Sequence, residues 1–369
     1  MTIAKERSLA IGDTTVDLID LREREADLRV RNGKMRMRDV AEQLGVPEAA
    51  LLETRLLSAE TIRLRTASAE QPFADVFEAL PALGEVMALT RNASCVHEKH
   101  GAYSAPKFFS AMGQVVGEID LRLFLQHWLI AYSFEEQVGR GVRRSLQFFD
   151  AAGLALHKIY VTDATNLDAF MQLVERFTDD SPQPARFVDP GSMAGDESSA
   201  TKADCDVDVS GLREAWSELQ HSHAFFGLLK EFQVTRQQAM RLVGPPFARP
   251  IEKDAFGQAL RACSEQSVPV MIFVGNEGCV QIHSGPVSKI VPMGPWLNVM
   301  DPRFNLHLRE DHIAQAFVVK KPSVHGEVHS IELFDDAGVC FVQMFGERKP
   351  GTEELPTWRQ VVGGLPSLG

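Results

Sequence analysis

The sequence predicts an α+β protein made of two homologous halves, each a large antiparallel sheet with a few helices, with a ligand seam between them. Three observations predict it. First, one long stretch is written twice. VMALTRNASCVHEKHGAYS from Val86 returns as VMIFVGNEGCVQIHSGPVS from Val270, and LQFFDAAGLALHKIYV from Leu146 returns as IELFDDAGVCFVQMF from Ile331. Asn92 pairs with Asn276 and Cys95 with Cys279 at an offset of 184; Phe149 pairs with Phe334 and Gly153 with Gly338 at 185. Units of this length are a duplicated domain, not a short-period solenoid. Second, short alternating runs follow one another without intervening helices, which disfavours parallel βαβ winding. Third, residues 178–208, rich in Pro, Ser, Asp and Gly and without apolar period, read as a linker. The expected organisation is therefore 1–177, the linker 178–208, and 209–369.

The elements follow in order. Met37 to Leu57 has apolar spacing near 3.6, a break at Gly45 and Pro47 suited to a new first turn. From Thr61 to Tyr160 the runs TIRLRT, VMALTRN, IDLRLFL, SLQFFD and LALHKIYV alternate as half-buried strands, and Asp163 to Phe177 returns to helix. The second half repeats this order. LREAWSELQ, HAFFGLLKEF, TRQQAMRLV and AFGQALRACSEQ read as helices, Val268 to Phe345 as strands, and Glu353 to Val362 as a last helix.

With 369 residues the chain fits two domains of ordinary size, and 44% hydrophobic with 24% charged residues places it among globular proteins. A net charge of -12 argues against nucleic acid or an anionic membrane as main partner. An anionic ligand must then meet a local basic cluster of opposite sign. Five cysteines without a C-x-x-C spacing argue against a metal or disulfide framework, and Cys95 and Cys279 suit a small buried apolar position. There is no continuous apolar leader and no run of 18 apolar residues, so neither membrane insertion nor secretion is expected and the reading is cytoplasmic.

No P-loop, nucleophile elbow, HExxH or dinucleotide Gly-rich turn is present. The informative stretch is WSELQHSHAFFGLLKEFQVTRQQAM. His223 stands there ahead of Phe225, Phe226, Leu228 and Leu229. Imidazole beside apolar rings suits axial ligation of haem iron. Taken alone, a helix histidine is more often a cap or a surface residue.

The chain resembles the haemin-degrading factor family, the duplicated cytoplasmic haem-utilisation proteins of Gram-negative bacteria. The stretches that carry the resemblance are NGKMRMRDVAEQLGV, RNASCVHEKHGAY, IDLRLFLQHW, QFFD, HAFFGLLK, VTRQQA, IFVGNEGCVQI, GPWLNV, FNLHLRE, KKP, SIELF and GERKPG, through both halves. The resemblance implies haem as ligand or substrate, at a site between the halves. It implies His223 as proximal iron ligand and Arg122 over the other haem face, as the residue of catalysis. Arg236, Lys321, Gln343 and Arg348 fall on propionate-binding positions, and Phe273 on an aromatic wall. Haem carries two carboxylates, so Arg236, Lys321 and Arg348 would supply the local positive charge. Without the resemblance each would read as a solvated residue.

The repeat is asymmetric at these positions. Arg122 plus 185 is His307, and an offset of 188 places Met35 opposite His223. One asymmetric site per chain is the expectation, set against the drift that repeat copies show at every position. Phe345 stands where relatives often carry Tyr, which would remove one hydroxyl near the propionates. His221 reads as an exposed or capping residue, since i and i+2 on a helix do not share a face. His97 and His100, whose repeat partners are Gln281 and Ser284, read as polar surface or turn residues.

Two functions are expected from this. In one the protein opens haem with an external electron donor and releases iron; no flavin or nicotinamide motif is visible. In the other it is a carrier that passes haem to a separate haem oxygenase. A homodimer is among the assemblies the sequence is compatible with.

Overall fold

The computed structural model of the chain describes residues 8–33, 35–56, 58, 60–189, 201–221, 224–349 and 351–368. The repeated Asn and Cys are explained by one turn that occurs twice. Asn92 Oδ1 accepts from the Ser94 and Cys95 backbone N–H groups at 3.0 and 2.8 Å. Asn276 Oδ1 does the same for Gly278 and Cys279, both at 3.0 Å. An Asx turn of this kind fixes the chain reversal between two strands. The asparagine amide then reaches outward: Asn92 Nδ2 donates to Gly275 O and Phe341 O, and Asn276 Nδ2 to Leu156 O. Gly278 has no room for a side chain, since a Cβ would lie 2.4 Å from a Leu156 methyl. The later turn is also shared. Gly153 and Gly338 take φ of 73° and 80°, the left-handed region that favours glycine.

Two compact units result. The first comprises residues 1–90, 99–196 and 276–280; the second comprises 91–98, 197–275 and 281–369. In the first unit the strands Thr61–Leu64, Ile130–Val138, Gly141–Phe149, Ala155–Thr165 and Gly84–Arg91 lie side by side in that order, all antiparallel. A meander of Lys107–Phe109, Met112–Val115 and Asp120–Phe124 accompanies them. The second unit has the same order: Ala248–Ile251, Gln315–Ser323, Gly326–Phe334, Cys340–Gly346 and Val270–Gly275. Its meander is Ile290–Met293, Trp296–Asp301 and Phe304–Arg309. Large antiparallel sheets with flanking helices are the α+β architecture expected from the alternating runs.

Each sheet buries both faces because period-two alternation sends apolar residues to each. In the second unit Ala316, Val318, Ile331, Leu333, Val342 and Met344 face a core with Phe256, Leu260, Trp358 and Cys95. Phe317, Val319 and Phe334 face the other way, onto Trp216, Phe225 and Met240 from the helices Val209–Ser217, Ala224–Phe232 and Arg236–Val243. In the first unit Phe73, Phe77, Trp128, Phe148 and Cys279 share one core. A second packs Tyr132, Phe134 and Phe149 against helices Leu18–Arg31, Met37–Leu44 and Glu48–Leu56. Cys95 and Cys279 are thus buried thiols, as expected, and among the described residues no group of three or more His, Cys, Asp or Glu is placed to hold a metal.

Three elements had no strong sequence signal. Helix Leu18–Arg31 (LIDLREREADLRVR) is mostly charged and buries only Leu18, Leu21 and Glu25. It is capped by Asp17 and tied down by ion pairs of buried Glu25 with Arg29 and Arg55. Helix Ala74–Ala79 is a turn and a half long. Strand Ser8–Ile11 pairs antiparallel with Thr14–Asp17 and parallel with Arg186–Phe187, strands too short for periodicity to register.

Candidate functional site

The second unit gathers three of the sequence-predicted residues around a fourth that the sequence reading missed. Helix Arg236–Val243 begins with a capping box. Thr235 Oγ1 accepts from Gln238 N at 3.1 Å, and the Gln238 side chain accepts from Thr235 N at 3.3 Å. This cap makes Arg236 the first helical residue, at the end where the helix dipole is positive and a cation gains nothing from it. Its guanidinium turns to the sheet. There Arg236 Nε donates to Glu332 Oε2 at 2.6 Å and Nη2 donates to Gln343 Oε1 at 3.1 Å.

Lys321 completes the arrangement. Its Nζ donates to Glu332 Oε1 at 2.7 Å, and Ser330 Oγ donates to the same oxygen at 2.8 Å. Glu332 is 0% exposed and Lys321 4%. One buried carboxylate is therefore shared by a buried lysine and a largely buried arginine, whose side chain is 15% exposed, and the group carries a net charge of about +1. Burial alone would push the Glu332 carboxyl up, but Arg236 and then Lys321 outweigh it and hold it down to about 2. Lys321 is pushed below the usual lysine range by burial and by Arg236, against the pull of Glu332. Burial also works against the Arg236 charge, and the Glu332 carboxylate more than restores it. As isolated residues Arg236 and Lys321 would read as solvated; the fold instead buries Lys321 and covers most of the Arg236 side chain.

Strand register explains why these residues meet. Phe273 pairs with Gln343, Gln343 with Glu332, and Glu332 with Phe317, so all four share one sheet face. Lys321, four residues beyond Phe317, is on that face too. Glu332 stands in SIELF, a carboxylate inside an apolar strand. A buried acid needs a cation, and that was the signal available.

Aromatic rings border the cluster. Lys321 Nζ lies 4.4 Å from the Phe225 ring centroid, and the Arg236 guanidinium lies 5.3 Å from Phe225 and 5.9 Å from Phe226. Phe225 is buried, whereas Phe226 is 65% exposed. Phe273 packs edge-on against Phe345 with centroids 5.1 Å apart. Arg348 is half-buried and makes no ion pair among the described residues.

Arg122 lies in the first unit, on Asp120–Phe124, with Leu121 and Leu123 buried on the opposite face. It donates to Asp120 and to Leu121 O, so its head is anchored while other N–H groups remain. His223 lies outside the described residues. His221, two positions earlier, is exposed.

His97 corrects the sequence reading. It is not a surface or turn residue but fully buried on Cys95–Ala102. Its Nδ1 lies 2.8 Å from Nε2 of Gln281, its own repeat partner, and its ring packs at 5.0 Å on Phe304. A polar residue in a strand can be buried when its partner is 184 positions away, which no local pattern reveals. His100 is half-exposed.

The fold and the site define a duplicated α+β protein with a buried, aromatic-bordered cationic cluster in its second unit. The profile of the haemin-degrading HemS.ChuX domain matches residues 45–177 and again 233–365, and the chain belongs to that family. It is similar to the hemin transport protein HemS of Yersinia enterocolitica, at 38% identity over 89% of this chain and 92% of the relative. Among solved structures it is similar to holo-PhuS, a heme-binding protein from Pseudomonas aeruginosa, with TM-score 0.90 and 37% identity over 96% of this chain and 100% of that one. It is also similar to ChuS, an E. coli heme oxygenase, with TM-score 0.81 and 34% identity over 94% and 99%.

Proposed function

We propose that this chain binds haem and serves haem uptake and iron acquisition, opening the macrocycle with electrons from an external donor. The observation that carries the binding is the buried group of two cations on one carboxylate. Its excess positive charge, in a protein of net charge -12, suits a carboxylate-bearing ligand. Haem has two such groups on a flat apolar body. Arg236, Lys321 and Gln343 would hold one propionate, with Arg348 near the second, and Phe273 would stand against the ring. The exposed Phe226 offers further apolar surface beside the same cations.

His223 would be the iron ligand, on the strength of its place in HSHAFFGLLK and of the family's pattern. Haem supplies the redox chemistry, and the chain supplies binding and orientation. Arg122 is a permanent donor, since a guanidinium keeps its proton at any working pH, and Asp120 holds it in place. It would stabilise negative charge developing on oxygen at the second haem face. Similarity to a heme oxygenase supports this reading, and similarity to hemin transport proteins supports a carrier that hands haem to a separate oxygenase.

Titration with haemin and with its dimethyl ester tests the binding. Wild type should prefer haemin, and His223→Ala should lose most affinity with a changed ferric spectrum. Equal affinity for the ester would remove the propionate reading, and an unchanged spectrum in His223→Ala would move the iron ligand elsewhere.

A further inference from the structure

The two lysines of the KKP run are adjacent in sequence but alternate across the strand Gln315–Ser323. Lys321 turns to Glu332, as described. Lys320 points to the opposite face with Val318, where it is the direct cross-strand partner of His329. On that face, under helix Pro356–Gly363, lies a pocket of about 260 Å3. It is lined by Lys320, His329, Arg249 and Arg359, over a floor that includes Val318 and Val362.

From these residues we propose that this pocket binds the phosphate group of a small phosphate ester. Cations arrive from four separate elements: Arg249 from an edge strand, Lys320 and His329 from two neighbouring strands, Arg359 from the helix. A planar carboxylate is satisfied by one guanidinium fork, whereas a tetrahedral oxyanion presents oxygens in several directions and suits dispersed donors. The volume is several times the ~30 Å3 of a water molecule, with room for the group and part of its carrier. The apolar floor suits that carrier.

The local charge is positive in spite of the acids beside it. Glu327 pairs with Lys320 at 2.8 Å. Glu354, 4% exposed, accepts from His329 N and Nδ1, both at 2.7 Å, and from Arg359 Nε at 3.4 Å. Two carboxylates thus face three permanent cations and a histidine. Glu354 also takes Nδ1 of the ring, so His329 offers Nε2. Arg249 has a structural task as well, donating to Val362 O and Leu365 O at the end of the helix, and is therefore not the residue to mutate.

The test is calorimetric titration of the full chain with inorganic phosphate, phenyl phosphate and benzoate at constant ionic strength. Phosphate should bind saturably and phenyl phosphate more tightly. Lys320→Gln and Arg359→Gln should each weaken both by about tenfold or more, the loss of one charge-assisted contact. Lys321→Gln, on the other sheet face, should leave phosphate binding unchanged. The proposal is overturned if phosphate does not saturate, if benzoate binds more tightly than phenyl phosphate, or if Lys321→Gln weakens phosphate as much as Lys320→Gln does.

Discussion

Glu48 and Arg236 occupy the same place in the two repeat copies, 188 residues apart, and carry opposite charges. Each sits in the first turn of its helix and reaches the sheet. Glu48 accepts from Lys158, which is the repeat counterpart of Gln343. Arg236 donates to Glu332, the counterpart of Gln147. The first copy therefore holds a neutral buried pair, and the second holds two cations on one acid. The duplication has kept the geometry and changed the charge, so at this place the second copy, unlike the first, carries excess positive charge.

Lys158→Ala separates the two copies. It removes the cation that Glu48 accepts from in the interior of the first unit, where Glu48 is 5% exposed. Removing one partner of a buried pair costs about 3–5 kcal/mol. Denaturant unfolding should show that loss in the first unit, while haemin affinity stays within a few fold. A large fall in affinity would mean that the Glu48–Lys158 pair also serves the ligand.

Glu332→Gln and Lys321→Gln should differ in kind. Losing Glu332 leaves two buried cations without their shared acid, so stability should fall by about 3–5 kcal/mol. Losing Lys321 leaves Arg236 paired with Glu332, and the deficit should appear chiefly as weaker haemin binding, by about 1.5–3 kcal/mol. Paired unfolding and titration measurements on both variants check this. If Glu332→Gln costs less than about 1 kcal/mol, the carboxylate is not what holds the cations.

Arg122→Ala should leave haemin affinity within a few fold while slowing reductant-driven haem loss by about one to three orders of magnitude. The assay follows the Soret band and released iron, with catalase present. Equal rates in wild type and variant would favour the carrier.

Acid lability should trace to His157. Its ring is fully buried, with Tyr103 Oη 2.6 Å from Nε2 and Thr90 Oγ1 2.9 Å from Nδ1. Burial pushes its pKa down to about 3. The folded state thus keeps His157 neutral where the unfolded chain, with pKa ~6.5, is protonated. Its contribution is fully present above that unfolded value and is lost as pH falls from ~6.5 towards 3, at up to ~1.4 kcal/mol per pH unit. His157→Phe should flatten the stability profile of the first unit in that window. An unchanged slope would place the proton uptake at another group.

The sheets were legible in the sequence because their strands alternate with a period of two and their turns carry a repeated Asn and Gly. The helix Leu18–Arg31 was not, since its attachment runs through Glu25 and its arginines rather than an apolar stripe. At the site Arg236, Lys321 and Gln343 were named from the family's pattern, and the structure brings them together. Glu332, which joins them, was not named: periodicity gives a residue's face, but not the partner that will arrive from a helix 96 residues away. His97 was misplaced for the same reason, its partner being a distant residue of the other copy.

The repeat copies no longer correspond to separable genes. Cys95 belongs by sequence to the first copy yet fills the core around Leu297 and Phe304, and the carbonyl of Ser94 receives the N–H of Arg309 at 2.9 Å. Gly278 and Asn276 belong to the second copy yet hold Trp128 and Leu156. An open reading frame cut at residue 200 would encode two polypeptides, each with a hole where the other's hairpin belongs. The ancestral fusion has become a ratchet: once each copy came to supply a piece of the other's interior, the way back to two independent proteins was closed.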